Sequence, residues 1–285
     1  MNPGFLLACT SALAYGAADF IGGVGSRRHS SWQVVLVGQA SGALVMLAAG
    51  LTVPGSPAAP DFAWAVMAGV GSAIGSIFLF RGLARGRMGL VAPISAVGAA
   101  AVPVMVGVAL GERPSWLVWV GVLVALPGIW LVSRETTSDR PEERGRRSSR
   151  AQGVVDGALA GAGFGILFVA LAQISENAGF LPLATNQLVG AILTLVLAAS
   201  LRQPWRPRRG VVGWGGVSGV LGASGTLAFM VATATTSLGI AAVLASLYPA
   251  VTVLLAASVL GERIGTGQRV GIGVCTLAVA TLAIG

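Results

Sequence analysis

The sequence predicts an all-α membrane protein with ten transmembrane helices arranged as two inverted five-helix repeats. Three observations carry this expectation. First, 55% of the 285 residues are hydrophobic and only 10% are charged, with a mean hydropathy of +0.83, whereas a soluble domain carries about 25% charged residues. Second, the chain divides into successive apolar stretches, each near the roughly 20 residues that cross a hydrocarbon core about 30 Å thick. Third, Leu110-Gly111-Glu112-Arg113 returns as Leu260-Gly261-Glu262-Arg263. A soluble fold of this composition would have to expose apolar patches that soluble monomers avoid. An ordinary cytosolic enzyme, a disordered chain and a disulfide-stapled scaffold are thereby excluded.

The spans are expected at 4–25, 32–52, 62–81, 88–110, 114–133, 152–174, 181–201, 210–231, 238–260 and 266–285. Helices are required because lipid offers no partner for backbone N–H and C=O groups, and the alternation of a barrel strand is absent. The first stretch is a retained helix and not a signal peptide, since Arg27 and Arg28 follow its apolar run instead of preceding it. The break between the second and third spans is rich in turn residues, with Pro54, Gly55, Pro57 and Pro60, and Asp61 stands where it can cap the third helix. The longest break, 134–151, holds six arginines and reads as a solvated linker. It separates a first repeat, 1–133, from a second, 152–285.

The spacing of the Leu-Gly-Glu-Arg turns also pairs Gly69 with Gly219, Gly75 with Gly225, Gly89 with Gly239, Ala100 with Ala250 and Gly121 with Gly271. A constant offset through three consecutive helices marks an internal repeat. Five is an odd number, so the second half enters the membrane from the opposite side, as in many secondary transporters. All arginines except Arg113 lie at the breaks after the first, third, fifth, seventh and ninth helices. The positive-inside rule then places the linker in the cytoplasm and both termini outside, in a multi-pass cell-membrane protein.

The net charge of +8 does not indicate nucleic acid. The 18 basic residues are all arginine and sit in short polar breaks, where a nucleic-acid surface would need a continuous basic face. Cys9 and Cys275 lie in apolar stretches and His29 is the single histidine, so no metal site, cofactor or His-based triad is expected. No Gly-rich phosphate loop follows a strand, so no nucleotide-driven pump is implied.

Two five-helix halves, a Leu-Gly-Glu-Arg turn after the fourth helix of each, Ser246-Leu247-Tyr248-Pro249-Ala250 in the ninth helix and Ala14-Tyr15-Gly16-Ala17-Ala18-Asp19-Phe20 in the first resemble the drug/metabolite transporter superfamily, EamA type. The resemblance implies alternating-access transport of amino acids, nucleobases, sugars, sugar phosphates or toxic compounds, often by proton coupling or exchange. It departs in two places. Many members resemble proteins with cytoplasmic termini, against the arginine count here. Gly98-Ala99 also stands where the ninth helix has Tyr248-Pro249, so the two halves of a site would not be equivalent.

Asp19 is the most informative residue. An Asp at the centre of a spanning helix costs about 2.5–3.5 kcal/mol, so it is kept for a cavity or a partner. It is either a proton or cation site, or an interfacial acid paired with Arg27 or Arg28. Tyr15, four residues earlier, shares its face. Gln39 in the second helix and Asn186-Gln187 in the seventh either bind substrate or bond between helices, at about 0.6–2 kcal/mol each. Tyr248 sits beside Pro249, and Pro93 and Pro103 lie in the fourth helix; a proline frees a backbone carbonyl that can line a cavity, or it is a plain kink. Ser95, Ser224 and Ser246 point inward or simply pack. Glu112 and Glu262 close turns or form gate pairs, Asp156 and Glu176 are expected at interfaces, and Arg81 is expected to snorkel.

The expected function is secondary active transport of small metabolites (amino acids, nucleobases or drug-like solutes), outward by alternating access, with Asp19 as the candidate proton-coupling residue. Tyr15, Asp19, Gln39, Gln187, Tyr248 and Ser246 are the candidate substrate ligands. The expected partners are a small solute, protons and the lipid bilayer, with no nucleic acid. A monomer is the default, because the pseudo-dyad completes one transporter, and a dimer through helices five and ten is the alternative. Two readings compete. An integral-membrane enzyme acting on lipids would gather acids, His or Lys at one face, and this chain has one His, no Lys and scattered acids. A non-transporting protein, such as a lipid scramblase or an assembly subunit, does not need an intramembrane Asp.

Overall fold

The computed structural model describes residues 3–85, 88–109, 111, 115–133, 143–235, 245, 248–261 and 264–284. These form the helices α1 (Pro3–Arg28), α2 (Ser31–Thr52), α3 (Ala59–Ala84), α4 (Met88–Ala109), α5 (Trp116–Ser133), α6 (Glu143–Leu171), α7 (Leu181–Ser200), α8 (Arg209–Thr235), α9 (Tyr248–Leu260) and α10 (Thr266–Ile284), with a 3-10 turn at Glu176–Ala178. No strand occurs among the described residues. Seven helices, α1–α4 and α6–α8, contain stretches long and apolar enough to cross a membrane. The remaining three carry shorter apolar stretches, Trp119–Gly128, Tyr248–Leu260 and Arg269–Ala278. Large apolar side chains such as Leu13, Leu44, Met105, Leu123, Trp130 and Leu254 stand exposed on the outside of the bundle. That is the arrangement of a protein whose solvent is lipid.

The helices pair according to a pseudo-two-fold rule that matches α1 with α6, α2 with α7, α3 with α8, α4 with α9 and α5 with α10. Thus α1 packs on α8 and α6 on α3; α2 packs on α8 and α7 on α3; α4 packs on α6 and α9 on α1. The helices α2 and α7 pack on each other, and so do α5 and α10. The two repeats are therefore interlocked and do not lie side by side as separate bodies.

Glycine fixes the crossings. A Cβ on Gly69 of α3 would lie 2.7 Å from the Asn186 carbonyl oxygen and from Val189 on α7. A Cβ on the repeat-related Gly219 of α8 would fall on the Gly38 carbonyl oxygen and the Ser41 hydroxyl of α2. A Cβ on Gly75 would likewise lie 2.5 Å from the Phe164 ring, and one on Gly225 would lie 3.2 Å from the Tyr15 ring. Gly16 on α1 meets Val251 on α9, and Gly165 on α6 meets Val102 on α4. Small residues at such positions let helix backbones approach, which is the main source of association inside lipid. The turn glycines obey the same symmetry: Gly111 after α4 and Gly261 after α9 have φ of +94° and +64°. A left-handed residue just beyond a helix end is commonly glycine because it lacks a Cβ. The neighbouring Glu112, Arg113, Glu262 and Arg263 lie outside the described residues.

Two differences from the sequence expectation stand out. The helix expected to start at 152 begins at Glu143, so the second part of the supposed 134–151 linker is helical. Arg and Glu are good helix formers once the chain has a helix to extend. Residues 134–142 lie outside the described residues. The same helix ends at Leu171 instead of 174, and the chain turns through Ser175 into the 3-10 turn. In the ninth span Tyr248–Leu260 is helical, and so is Ala245, while 236–244 and 246–247 lie outside the described residues.

If close backbone approach sets the stability, alanine should discriminate sharply between glycines. The Cβ of Gly163→Ala would strike the Gly75 backbone, whereas that of Gly213→Ala meets nothing within 4 Å. Gly163→Ala is expected to lower stability by about 1–3 kcal/mol. Gly213→Ala is expected to be neutral or to gain up to about 1 kcal/mol from helix propensity. Thermal unfolding of the purified protein in detergent micelles measures both.

Candidate functional site

The first helix carries Tyr15 and Asp19 one turn apart, and Asp19 lies nine residues before Arg28, about 13 Å along the axis at 1.5 Å per residue. The Tyr248–Thr252 part of α9 is seated on the same stretch. A Cβ on Gly16 would be 2.7 Å from the Tyr248 carbonyl oxygen, and the Thr252 hydroxyl donates to the Gly16 carbonyl at 3.2 Å. This contact brings the Tyr15 and Tyr248 rings together edge to face, with centroids 6.3 Å apart and planes inclined by 64°. From α8, the Thr226 hydroxyl shares a 2.8 Å hydrogen bond with the Tyr15 hydroxyl. Asp19 lies within electrostatic reach of both tyrosines. All four side chains are half-buried.

Asp19 makes no hydrogen bond or ion pair with a described residue. The pairing with Arg27 or Arg28 considered from the sequence is not formed. Arg27 directs its Nε to the Leu83 carbonyl at 3.4 Å, and Arg28 lies over the Trp214 ring at 5.3 Å.

Gln39 and Gln187 occupy a different place, the α2–α7 crossing. The Gln39 amide packs on Gly190, and the Gln187 amide would lie 2.9 Å from a Cβ on Gly42. Gln39 and Gly42 on one helix match Gln187 and Gly190 on the other, so the contact is reciprocal about the pseudo-two-fold axis. Gln39 also donates to the Ser72 hydroxyl of α3 at 3.4 Å, and its Oε1 has no partner. No described hydrogen bond or ring contact joins either glutamine to the tyrosine–aspartate cluster. Ser246 lies outside the described residues. Ser95 is fully buried without a partner, and Ser224 is exposed.

Three polar partners escaped the sequence reading. Thr226 carries no signal beyond its place one residue after Gly225. Asp156, expected as a plain interfacial acid, is 1% exposed and accepts from Arg81 Nε at 3.0 Å and Arg85 at 2.7 Å. Arg81 therefore does more than snorkel, and it also lies over Phe78 at 4.5 Å. The signal was present, since Arg81 in the last turn of α3 and Arg85 at its C-cap are four residues apart. Asp61 does cap α3, but from the third helical position. It accepts from the Ala58 N–H at 2.7 Å and reaches across to the N–H and hydroxyl of Ser175, each at 2.9 Å. A 2.8 Å bond from the Ser56 N–H to the Asn177 carbonyl adds to that junction.

These features define a multi-pass helical membrane protein built from two interlocked repeats, with a carboxylate, Asp19, that has no partner among the described residues. The model of the EamA-like transporter family matches residues 2–134 and 152–284, and the chain belongs to that family. Among solved structures, one described only as a crystal structure of a protein is similar over 98% of this chain and 95% of its own. Its TM-score is 0.62 at 14% identity, a likeness of fold. No curated protein matches the chain significantly.

The α3–α6 cluster yields a test of its own. A double-mutant cycle with Arg81→Ala and Asp156→Ala, read by thermal unfolding, is expected to give a coupling of about 1–3 kcal/mol. Independent, additive effects would mean that the ion pair is not formed in the protein.

Proposed function

We propose that this protein is a secondary transporter that moves small metabolites by alternating access, with Asp19 as its coupling site. In this reading the chain spans the plasma membrane ten times, with the linker in the cytoplasm and both termini outside. The arginine distribution supports that orientation. The observation that carries the reading is the unpaired Asp19 carboxylate beside Tyr15 and Tyr248. Ionisable groups inside a membrane are expensive and usually mark substrate or proton paths. With no arginine on it, the Asp19 charge is compensated by whatever cation arrives, a proton or a charged solute. Alternation between the two would couple their fluxes.

The interlocked pairing supports the motion. Because α1 of the first repeat is held by α8 and α9 of the second, rocking about the pseudo-two-fold axis shifts the Asp19 cluster relative to both membrane faces. The α2–α7 crossing, with Gln39 and Gln187, lies on that axis and serves as a pivot. Tyr15, Tyr248 and Asp19 bind the solute, with Ser246, two residues before Tyr248, as a further ligand. Outward transport is the direction we favour, on the resemblance to exporters of this superfamily.

Reconstituted into proteoliposomes, the protein should move at least one member of a mixed metabolite panel, faster with an imposed pH gradient. Asp19→Asn should abolish gradient-driven flux while leaving the amount and thermal stability of the protein unchanged. Normal coupling in that variant would overturn the role of Asp19. Movement of labelled lipid between leaflets with no solute flux would replace the transporter reading by a scramblase.

A further inference from the structure

The chemistry around Asp19 also narrows the solute. The chain has only two tyrosines. They come from different repeats and meet at 6.3 Å with rings inclined by 64°. Two aromatic faces set at such an angle form a corner, and a carboxylate stands one helical turn away on the same face of α1. Thr226 occupies the Tyr15 hydroxyl at 2.8 Å, which holds that ring in place. The Tyr248 hydroxyl has no partner among the described residues. Aromatic faces beside a negative charge are the environment that selects organic cations, because the ring quadrupole and the carboxylate attract the same ion.

What is missing from the cluster is equally specific. The chain contains no lysine. The described arginines lie toward the helix ends, with Arg81 and Arg85 on Asp156 and Arg28 on Trp214. The segment 236–247, which leads into Tyr248, carries no charged residue. The repeat-related position of Tyr15 is Phe164, which packs on Gly75 as Tyr15 packs on Gly225, and no acid corresponds to Asp19. A solute carboxylate arriving here would therefore face Asp19 with no basic group among the described side chains to receive it.

Building on the transporter reading above, we infer that the Tyr15–Asp19–Tyr248 corner binds monovalent organic cations that lack a carboxylate, namely protonated or quaternary amines, and discriminates against amino acids. The test uses radiolabelled benzyltrimethylammonium and the purified protein in detergent. Binding should saturate and be displaced by phenethylamine at least about ten-fold more effectively than by phenylalanine. That ranking is read on the unmodified protein and needs no variant. Tyr248→Phe, which keeps the ring, should stay within about three-fold of the parent affinity, whereas Tyr248→Leu and Asp19→Asn should each lose about ten-fold or more. Each variant is first shown to be monodisperse with parental thermal stability. Equal displacement by phenylalanine, or no ammonium binding alongside Asp19-dependent flux of another solute, overturns the cation class and leaves the transport site standing. Solute flux and binding that ignore both Asp19→Asn and Tyr248→Leu overturn the site itself.

Discussion

Inside lipid, burial of apolar surface does not draw two helices together, because acyl chains are as apolar as leucine. Close approach of backbones has to do that work, and in this protein glycine decides where it happens. The contact of Gly69 with Asn186 and Val189, and that of Gly219 with Gly38 and Ser41, place α3 on α7 and α8 on α2. The contacts of Gly75 with Phe164 and Gly225 with Tyr15 place α3 on α6 and α8 on α1. Remove the room that glycine leaves and these crossings open by the width of a methyl group. The pseudo-two-fold symmetry follows from using the same contact twice.

The two symmetry-related pairs are not held alike. On α3–α6, charge is concentrated at both ends: Asp61 receives Ser175 at one, and Asp156 receives Arg81 and Arg85 at the other. On α1–α8 the bonds are neutral. Ser11 donates to the Gly225 carbonyl at 2.8 Å, Ser218 donates to the Ala18 carbonyl at 2.8 Å, and Tyr15 shares its hydroxyl with Thr226. Hydrogen bonds to charged groups contribute about 1.5–3 kcal/mol each against about 0.5–1.5 for neutral ones. The α3–α6 pair is thus the firmer member, and the candidate site belongs to the softer one. A transport site has to rearrange in each cycle, so this division of strength places compliance next to Asp19.

Much of this architecture was legible in the sequence because lipid imposes simple rules on composition. Seven of the spans and the two-fold repeat could be read from apolar run lengths and from the Leu-Gly-Glu-Arg offset, and Asp19 drew attention by its cost alone. Partners were not legible. The sequence offered Arg27 and Arg28 to Asp19 because they lie two turns away on one helix, and the fold sends them to Leu83 and Trp214 instead. It left Asp156 at an interface, though Arg81 and Arg85 come to it from another helix. It grouped Gln39 and Gln187 with the tyrosines because all are polar groups inside spans, whereas those two side chains answer each other's glycines at a different crossing. Polar pairing between helices depends on rotation about each helix axis, and a hydropathy pattern this uniform barely constrains that rotation.

The described acids whose side chains can be followed show how the protein assigns roles to identical chemistry. Asp61 is nearly inaccessible, and backbone N–H groups and a hydroxyl saturate it. Asp156 is equally buried, and two guanidinium groups neutralise it. A buried carboxylate without either form of compensation would cost several kcal/mol, on the order of the whole stability of a small domain. Among the described residues Asp19 has neither, and it is also the one of the three that remains partly accessible, on the helix face that carries Tyr15, whose ring meets Tyr248. These two properties belong together. An uncompensated carboxylate persists in a membrane interior only where something mobile can reach it, so the accessibility of Asp19 is the condition for its being there at all.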